Sequence, residues 1–205
     1  MPGWLERLNS DLAEVAARGR ESLVRITDGS HGAGSGVIVH PEGLILTNAH
    51  VVSRRSASIG LADGDVLEGE VLAHDDRRDL AVVMIDRHGL PAMTLGDSRR
   101  AAPGEWVMAM GHPWGVEDGA TSGVVIGVGS DLPDAPGALQ GRPWIAVSLH
   151  LRPGHSGGPL IDRAGSLLGI NTMMAGPDVG LAVPVDEARG FLKEALGRRM
   201  AYAAL

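Results

Sequence analysis

Apolar positions along this chain fall in short runs and alternations broken by glycine, proline, asparagine and aspartate. Between residues 22 and 95 they occupy 23–26, 36–39, 44–46, 66–72 and 80–85; beyond the turn-rich stretch 96–104 they occupy 106–110, 121–128, 144–147, 160–161, 167–171 and 180–183. Runs of this length with turn residues between them predict strands, and their succession predicts an all-β protein with two sets of strands. Helical spacing is confined to the ends. Trp4, Leu5, Leu8, Leu12 and Val15 recur every three or four residues, which predicts an amphipathic helix packed on its own domain. Pro184, then Asp186 and Glu187, then Phe191, Leu192, Ala195 and Leu196 predict a second, capped helix over 185–205. The stretch 130–142, with Pro133 and Pro136, reads as an exposed loop.

Composition narrows the function classes. A chain of 205 residues buries a sizeable core and fits one domain over 1–205. Thirty glycines against 3% aromatics suit many tight turns between strands packed with Val, Leu, Ile and Ala. A formal net charge of -7 argues against a nucleic-acid partner, which needs a basic face. Without cysteine there is neither a disulfide framework nor thiolate chemistry. Glu6, Asp11 and Glu14 interrupt the first twenty residues, so no secretory signal is visible there, and no run is long enough to insert into a membrane. The expected location is cytoplasmic, or periplasmic or otherwise extracytoplasmic if the sequence is a piece of an exported protein.

The chemistry gathers around Gly154-His155-Ser156-Gly157-Gly158-Pro159. Three glycines leave the turn around Ser156 nearly free of side-chain bulk and allow backbone amides, those of Gly154 and Ser156 with His155 between them, to converge on a negatively charged oxygen. A serine hydroxyl is a weak nucleophile without a base. His50, just past the apolar run 44–46, is the candidate base. Asp79, directly before the run 80–85, is the candidate carboxylate that fixes the imidazole tautomer and stabilises the imidazolium. The bland alternatives are a surface histidine, a solvated turn aspartate and a serine that only makes a turn. His74 with Asp75, Asp76 and Asp79 could suggest a metal cluster, but no paired ligand spacing supports one, and the chemistry of a Ser–His–Asp set requires no cofactor.

The order His, Asp, Ser is the one used by chymotrypsin-like double barrels. With Gly34-Ser35-Gly36-Val37-Ile38-Val39, Thr47-Asn48-Ala49-His50-Val51-Val52, Asp79-Leu80-Ala81-Val82-Val83, Gly111-His112-Pro113-Trp114-Gly115, the serine turn and Gly169-Ile170-Asn171-Thr172, the chain resembles a trypsin-like serine protease of the HtrA (DegP/DegQ) type. The resemblance implies two six-stranded antiparallel barrels, about 20–100 and 101–184, with the triad in the cleft between them, no PDZ domain within the chain, and a homotrimer contact through the N-terminal segment. It departs from the family at His155, where asparagine is usual, and at Ser148, where aspartate is common. It places the primary pocket on His150 and Leu151 and on Gly180, Leu181, Ala182 and Val183, whose backbone would also pair with an extended polypeptide substrate. No acidic residue stands at the pocket floor, so cleavage of unfolded polypeptides after small or aliphatic residues is expected. The competing expectations are an inactive binding or chaperone module on the same fold, and an esterase using the same triad.

Overall fold

A computed structural model describes residues 3–29, 33–52, 55–130 and 141–203 of the protein, and side chains to residue 197. Twelve strands form two closed antiparallel barrels. The first contains β1 (Leu23–Thr27), β2 (Ala33–His40), β3 (Leu44–Thr47), β4 (Ser56–Gly60), β5 (Val66–Asp75) and β6 (Leu80–Ile85), in the order β1-β2-β3-β6-β5-β4. The second contains β7 (Trp106–Gly111), β8 (Gly119–Gly129), β9 (Trp144–Val147), β10 (Pro159–Asp162), β11 (Leu167–Gly176) and β12 (Val179–Pro184), in the order β10-β11-β12-β9-β8-β7. Helix α1 (Trp4–Glu21) precedes the barrels and α2 (Val185–Ala203) follows them.

The central strands read as unbroken apolar runs because both of their faces are buried. On β6, Ala81, Val83 and Ile85 point into the first barrel beside Ile26, Ile38, Ile45 and Ile59, while Leu80 and Val82 join the layer between the barrels with Leu46, Met110, Ile161 and Leu181. The second barrel closes on Val107, Ala109, Val125, Ile145, Val147 and Leu160. Each of these larger side chains contributes about 1.5–3 kcal/mol on leaving water.

Strand β4 was not anticipated by the apolar pattern. Its sequence Ser-Ala-Ser-Ile-Gly offers only Ala57 and Ile59 to the interior, yet it pairs with β1 and β5 and closes the first barrel. Strand β5 runs three residues beyond the expected 72, past a bulge between Val71 and Ala73. That extension delivers the chain to the turn before Asp79. The stretch 130–142 lies mostly outside the described residues.

Helix α1 departs from expectation. Its C-terminal part packs through Val15, Ala16 and Gly19, where a Cβ on Gly19 would lie 2.4 Å from Met110 Sδ. The N-terminal half of the apolar stripe stays open among the described residues: Trp4, Leu5 and Leu8 are 67%, 61% and 46% exposed. Helix α2 is seated by Ala188, Phe191 and Leu192, and its Asp186 carboxylate accepts from the Ser98 N–H and hydroxyl at 3.1 and 2.7 Å. Among the described residues no helix is long and apolar enough to cross a membrane.

Candidate active site

The loops and strand ends at the barrel junction carry the expected residues. His50 sits on a single helical turn, Ala49–Val51, two residues after β3; the Ala49 carbonyl lies 3.0 Å from His74 Nε2, which buttresses the turn. The ring of His74 is thereby spent on the backbone, and among the described residues no cluster of His, Cys, Asp or Glu is placed to hold a metal ion. Asp79 stands at the end of the β5–β6 connection with φ +53°, a left-handed conformation that aspartate tolerates better than most side chains. The turn before it is closed by the Asp75 carboxylate, which accepts from the N–H groups of Arg77 and Arg78 at 2.8 and 3.1 Å.

This geometry brings imidazole and carboxylate together. Asp79 Oδ1 lies 2.9 Å from His50 Nδ1 and accepts the His50 backbone N–H at 3.2 Å; Oδ2 lies 3.0 Å from the same ring nitrogen and accepts the Thr172 hydroxyl. Three donors therefore converge on a carboxylate that is 8% exposed, and a buried charge held this way keeps its desolvation cost compensated.

Ser156 occupies a different hydrogen bond from the one anticipated. Its hydroxyl donates to the Thr172 carbonyl at 2.9 Å, and no Ser156–His50 hydrogen bond occurs among the described residues. Two residues nonetheless tie the serine turn to the His50–Asp79 pair. Thr172 holds Asp79 through its hydroxyl and Ser156 through its carbonyl. Asn48 accepts the Gly157 N–H at 2.7 Å through Oδ1 and donates to the Asp79 carbonyl at 2.9 Å through Nδ2. Neither role is visible in sequence, although both residues lie in motifs already singled out, Thr47-Asn48-Ala49-His50 and Gly169-Ile170-Asn171-Thr172.

The loop before the serine is a turn, Arg152-Pro153-Gly154-His155, closed by a bond from the His155 N–H to the Arg152 carbonyl at 2.9 Å. Proline at its second position and φ +102° at Gly154 make it type II. A Cβ on Gly154 would also lie 2.2 Å from the His112 carbonyl, so glycine is required on both counts. The turn corrects one expectation: His155 cannot offer its amide to an oxyanion, because that N–H is spent on Arg152. The N–H groups of Gly154 and Ser156 have no partner among the described residues, while those of Gly157 and Gly158 donate to Asn171 and His155 carbonyls.

The His155 ring is buried, and burial pushes its pKa down, as it does for His112. The Arg152 N–H points at His155 Nδ1 at 3.1 Å, and a backbone amide can only donate. The Arg152 carbonyl lies 3.3 Å from the same Nδ1, and Nε2 is buried without a partner among the described residues.

The residues expected to bind substrate lie in different settings. Strand β12 cannot pair with a substrate: Gly180, Leu181 and Ala182 are matched with Met174, Met173 and Asn171 of β11 on one edge and with Val147, Ala146 and Ile145 of β9 on the other, and Val183 is buried opposite Ile170. The open edge is on β11: it pairs with β10 over residues 167–170, Asn171 exchanges backbone bonds with Gly157 and Gly158, the Thr172 carbonyl takes the Ser156 hydroxyl, and among the described residues 173–176 have no strand partner on that side. Leu151 does line a wall: a Cβ on Gly180 would meet Leu151 and Leu149 at 3.0 and 3.1 Å, and the Leu151 N–H lies 3.2 Å from the Met174 sulfur. His150 instead pairs with Asp178 at 2.9 Å on the surface.

Comparison with known proteins agrees with this architecture. Residues 34–170 match the trypsin-like peptidase domain. The chain is 37% identical over 161 residues to the Synechocystis serine protease HhoB, covering 77% of this chain and 39% of that protein. It is 38% identical over 161 residues to a DegP-like periplasmic serine endoprotease of Halomonas elongata, covering 76% of this chain and 33% of that protein. The chain thus spans about a third of the length of such relatives. The structure of the HtrA-type protease AlgW with a tripeptide superposes with TM-score 0.80 at 32% identity, over 88% of this chain and 62% of that one. Two closed six-stranded barrels, a histidine–aspartate pair beside a glycine-bound serine and a family match over most of the length lead to one assignment: the chain belongs to the trypsin-like peptidase domain family and is similar to its HtrA-type members.

Proposed function

We propose that this chain is a serine endopeptidase that hydrolyses peptide bonds of unfolded polypeptides through an acyl-enzyme. The observation that carries the reading is the pair of unpartnered amides, Gly154 and Ser156, on a turn whose intervening amide is bonded away from them. N–H groups without a protein acceptor are uncommon, and two on either side of His155, one of them the candidate nucleophile's own, suit a ligand that supplies the acceptor.

In the proposed reaction an extended substrate pairs with the edge of β11 beyond Asn171 and sets its scissile carbonyl against the two amides. The Ser156 hydroxyl turns from the Thr172 carbonyl toward His50 Nε2, attacks the carbonyl carbon and passes its proton to the imidazole. Asp79 holds Nδ1 as a donor and stabilises the imidazolium. His50 then returns the proton to the leaving amine, and water repeats the sequence on the acyl-enzyme. The wall of Leu149, Leu151 and Met174 favours small or aliphatic side chains before the cut.

One observation favours the competing reading of a binding module: the Ser156 hydroxyl is donated away from the imidazole. Digestion of casein by wild type beside Ser156→Ala decides between them. Cleavage by wild type alone supports the peptidase; persistence of intact casein with both proteins contradicts it, and hydrolysis of short esters without casein cleavage points to an esterase. The exposed face of Trp4, Leu5 and Leu8 supports self-association through α1, with a homotrimer as the expected form. The periplasmic naming of DegP-like relatives favours an extracytoplasmic location over a cytoplasmic one.

A further inference from the structure

We infer that Ser35 is a positioning residue: from the first barrel, its hydroxyl holds the Gly154 carbonyl so that the oxyanion-binding amides of the second barrel stand preassembled. This role rests on the peptidase reading above. Ser35 lies on β2 between Gly34 and Gly36, ahead of the apolar Val37, Ile38 and Val39, and is wholly buried. A hydroxyl in such a place costs stability unless it is bonded. Every polar group of Ser35 is bonded, and each bond reaches the site. Its hydroxyl donates to the Gly154 carbonyl at 2.7 Å and accepts the His112 N–H at 3.1 Å. Its N–H donates to the Ser156 carbonyl at 2.8 Å, and its carbonyl accepts the hydroxyl of Thr47, beside Asn48, at 2.7 Å.

The physical argument concerns three consecutive peptide planes. In a trans peptide the C=O and N–H point in opposite directions, so holding a carbonyl on one side aims the following amide at the other. The Pro153 carbonyl accepts the Trp114 N–H at 3.0 Å, which turns the Gly154 N–H away from Trp114. The His155 carbonyl accepts the Gly158 N–H at 2.9 Å, which sets the Ser156 N–H. Between them, the Gly154 carbonyl accepts from Ser35 and from the His112 N–H at 3.0 Å, and the His155 N–H is thereby aimed at Arg152. That middle plane is hinged to the preceding one at Gly154, the residue with the freest backbone, and to the following one at His155. Held at its carbonyl, it anchors the two Cα atoms from which the planes bearing the Gly154 and Ser156 amides extend. Among the groups that hold these three carbonyls, Ser35 alone acts through a side chain, and it does so across 119 residues of sequence. Removing its hydroxyl loosens the turn without touching substrate, nucleophile or base.

The test compares wild type, S35A and S35C on a chromogenic peptide with an aliphatic residue before the cut, and measures inhibition by a peptide aldehyde and by the same peptide ending in a carboxylate. The aldehyde forms a hemiacetal with Ser156 whose oxygen needs the two amides; the carboxylate peptide binds without that adduct. Losing an oxyanion donor outright costs roughly 100- to 1000-fold in kcat, and a donor left in place but mobile is expected to cost about 10- to 100-fold. S35A should show that fall in kcat with KM changed less than about threefold, and aldehyde affinity should fall in parallel with kcat/KM while carboxylate affinity is kept. S35C, with the same branching but a larger sulfur that is a weak donor, should follow S35A; if S35A does not fold, S35C carries the test. Wild-type kinetics in S35A or S35C, or equal losses toward both inhibitors, would overturn the role. A wild type inert toward both substrate and aldehyde would instead bring down the peptidase reading, and this role with it.

Discussion

Replacing Asp79 by asparagine changes one oxygen to an amide nitrogen and reverses the direction of a hydrogen bond. Asp79 accepts at both oxygens, and His50 Nδ1 lies 2.9 and 3.0 Å from them. An amide nitrogen at the Oδ2 position donates, so Nδ1 must become the acceptor and the ring proton moves to Nε2, where it blocks the transfer from Ser156. The variant also loses the negative charge that faces the developing imidazolium. At about 3 Å and an effective dielectric constant of about 20, that charge contributes on the order of 5.5 kcal/mol. The imidazole is 48% exposed, and screening by water lowers the contribution to about 4 kcal/mol, or roughly 1000-fold in rate. Together with the wrong tautomer, the expected loss in kcat is about 1000- to 10000-fold. The assay is peptide hydrolysis by D79N and wild type, with urea unfolding of both as the control for folding. The Thr172 hydroxyl can turn to accept from the new amide, so stability should fall by only about 1–3 kcal/mol. A folded D79N within about tenfold of wild type would refute the reasoning.

The remaining predictions concern the scaffold around that pair. Thr172→Val keeps shape but removes a donor to a buried carboxylate, and urea unfolding should show a loss of about 1.5–3 kcal/mol; no loss would mean the hydroxyl is not needed there. Gly157→Ala meets φ +81° and would set a Cβ 2.1 Å from the Ser35 carbonyl and 2.2 Å from the Thr47 hydroxyl. It should cost about 3–5 kcal/mol and lower Tm by on the order of 10 °C in calorimetry, or prevent folding. Burial holds the pKa values of His155 and His112 below their ordinary value, so on acidification through about pH 6.5 the unfolded chain takes up protons first. Stability should be fully present above that pH and fall below it, down to the lowered folded values. His155→Asn should flatten the slope of urea midpoint against pH; an unchanged slope would assign the dependence to other groups.

Legibility of the fold followed burial. The run 80–85 announced a strand because β6 is covered on both faces, whereas β4, with alanine and isoleucine alone turned inward, gave too little signal to separate it from a loop. Trp4, Leu5 and Leu8 have helical spacing and form a helix, but periodicity carries no information on what covers the stripe, and among the described residues these three stay exposed. At the site, residue types were legible and partners were not. The glycine turn pointed to Gly154, His155 and Ser156 together; only the bond to the Arg152 carbonyl separates the spent amide from the two free ones. The assignment of substrate pairing to residues 180–183 failed for a similar reason, since which strand keeps an open edge depends on pairing between distant segments. Ser35, Asn48 and Thr172 stand in legible motifs without a legible role, because a small polar residue in a strand or turn shows its purpose only when its buried partners are known.

The claim on which the account turns is that Ser156 is an activated nucleophile, and intact-mass spectrometry after exposure to a fluorophosphonate tests it most directly. The account predicts a single adduct that maps to Ser156, slowed in D79N and absent from S156A. A folded wild-type protein that stays unlabelled, or a label that persists in S156A, would contradict it.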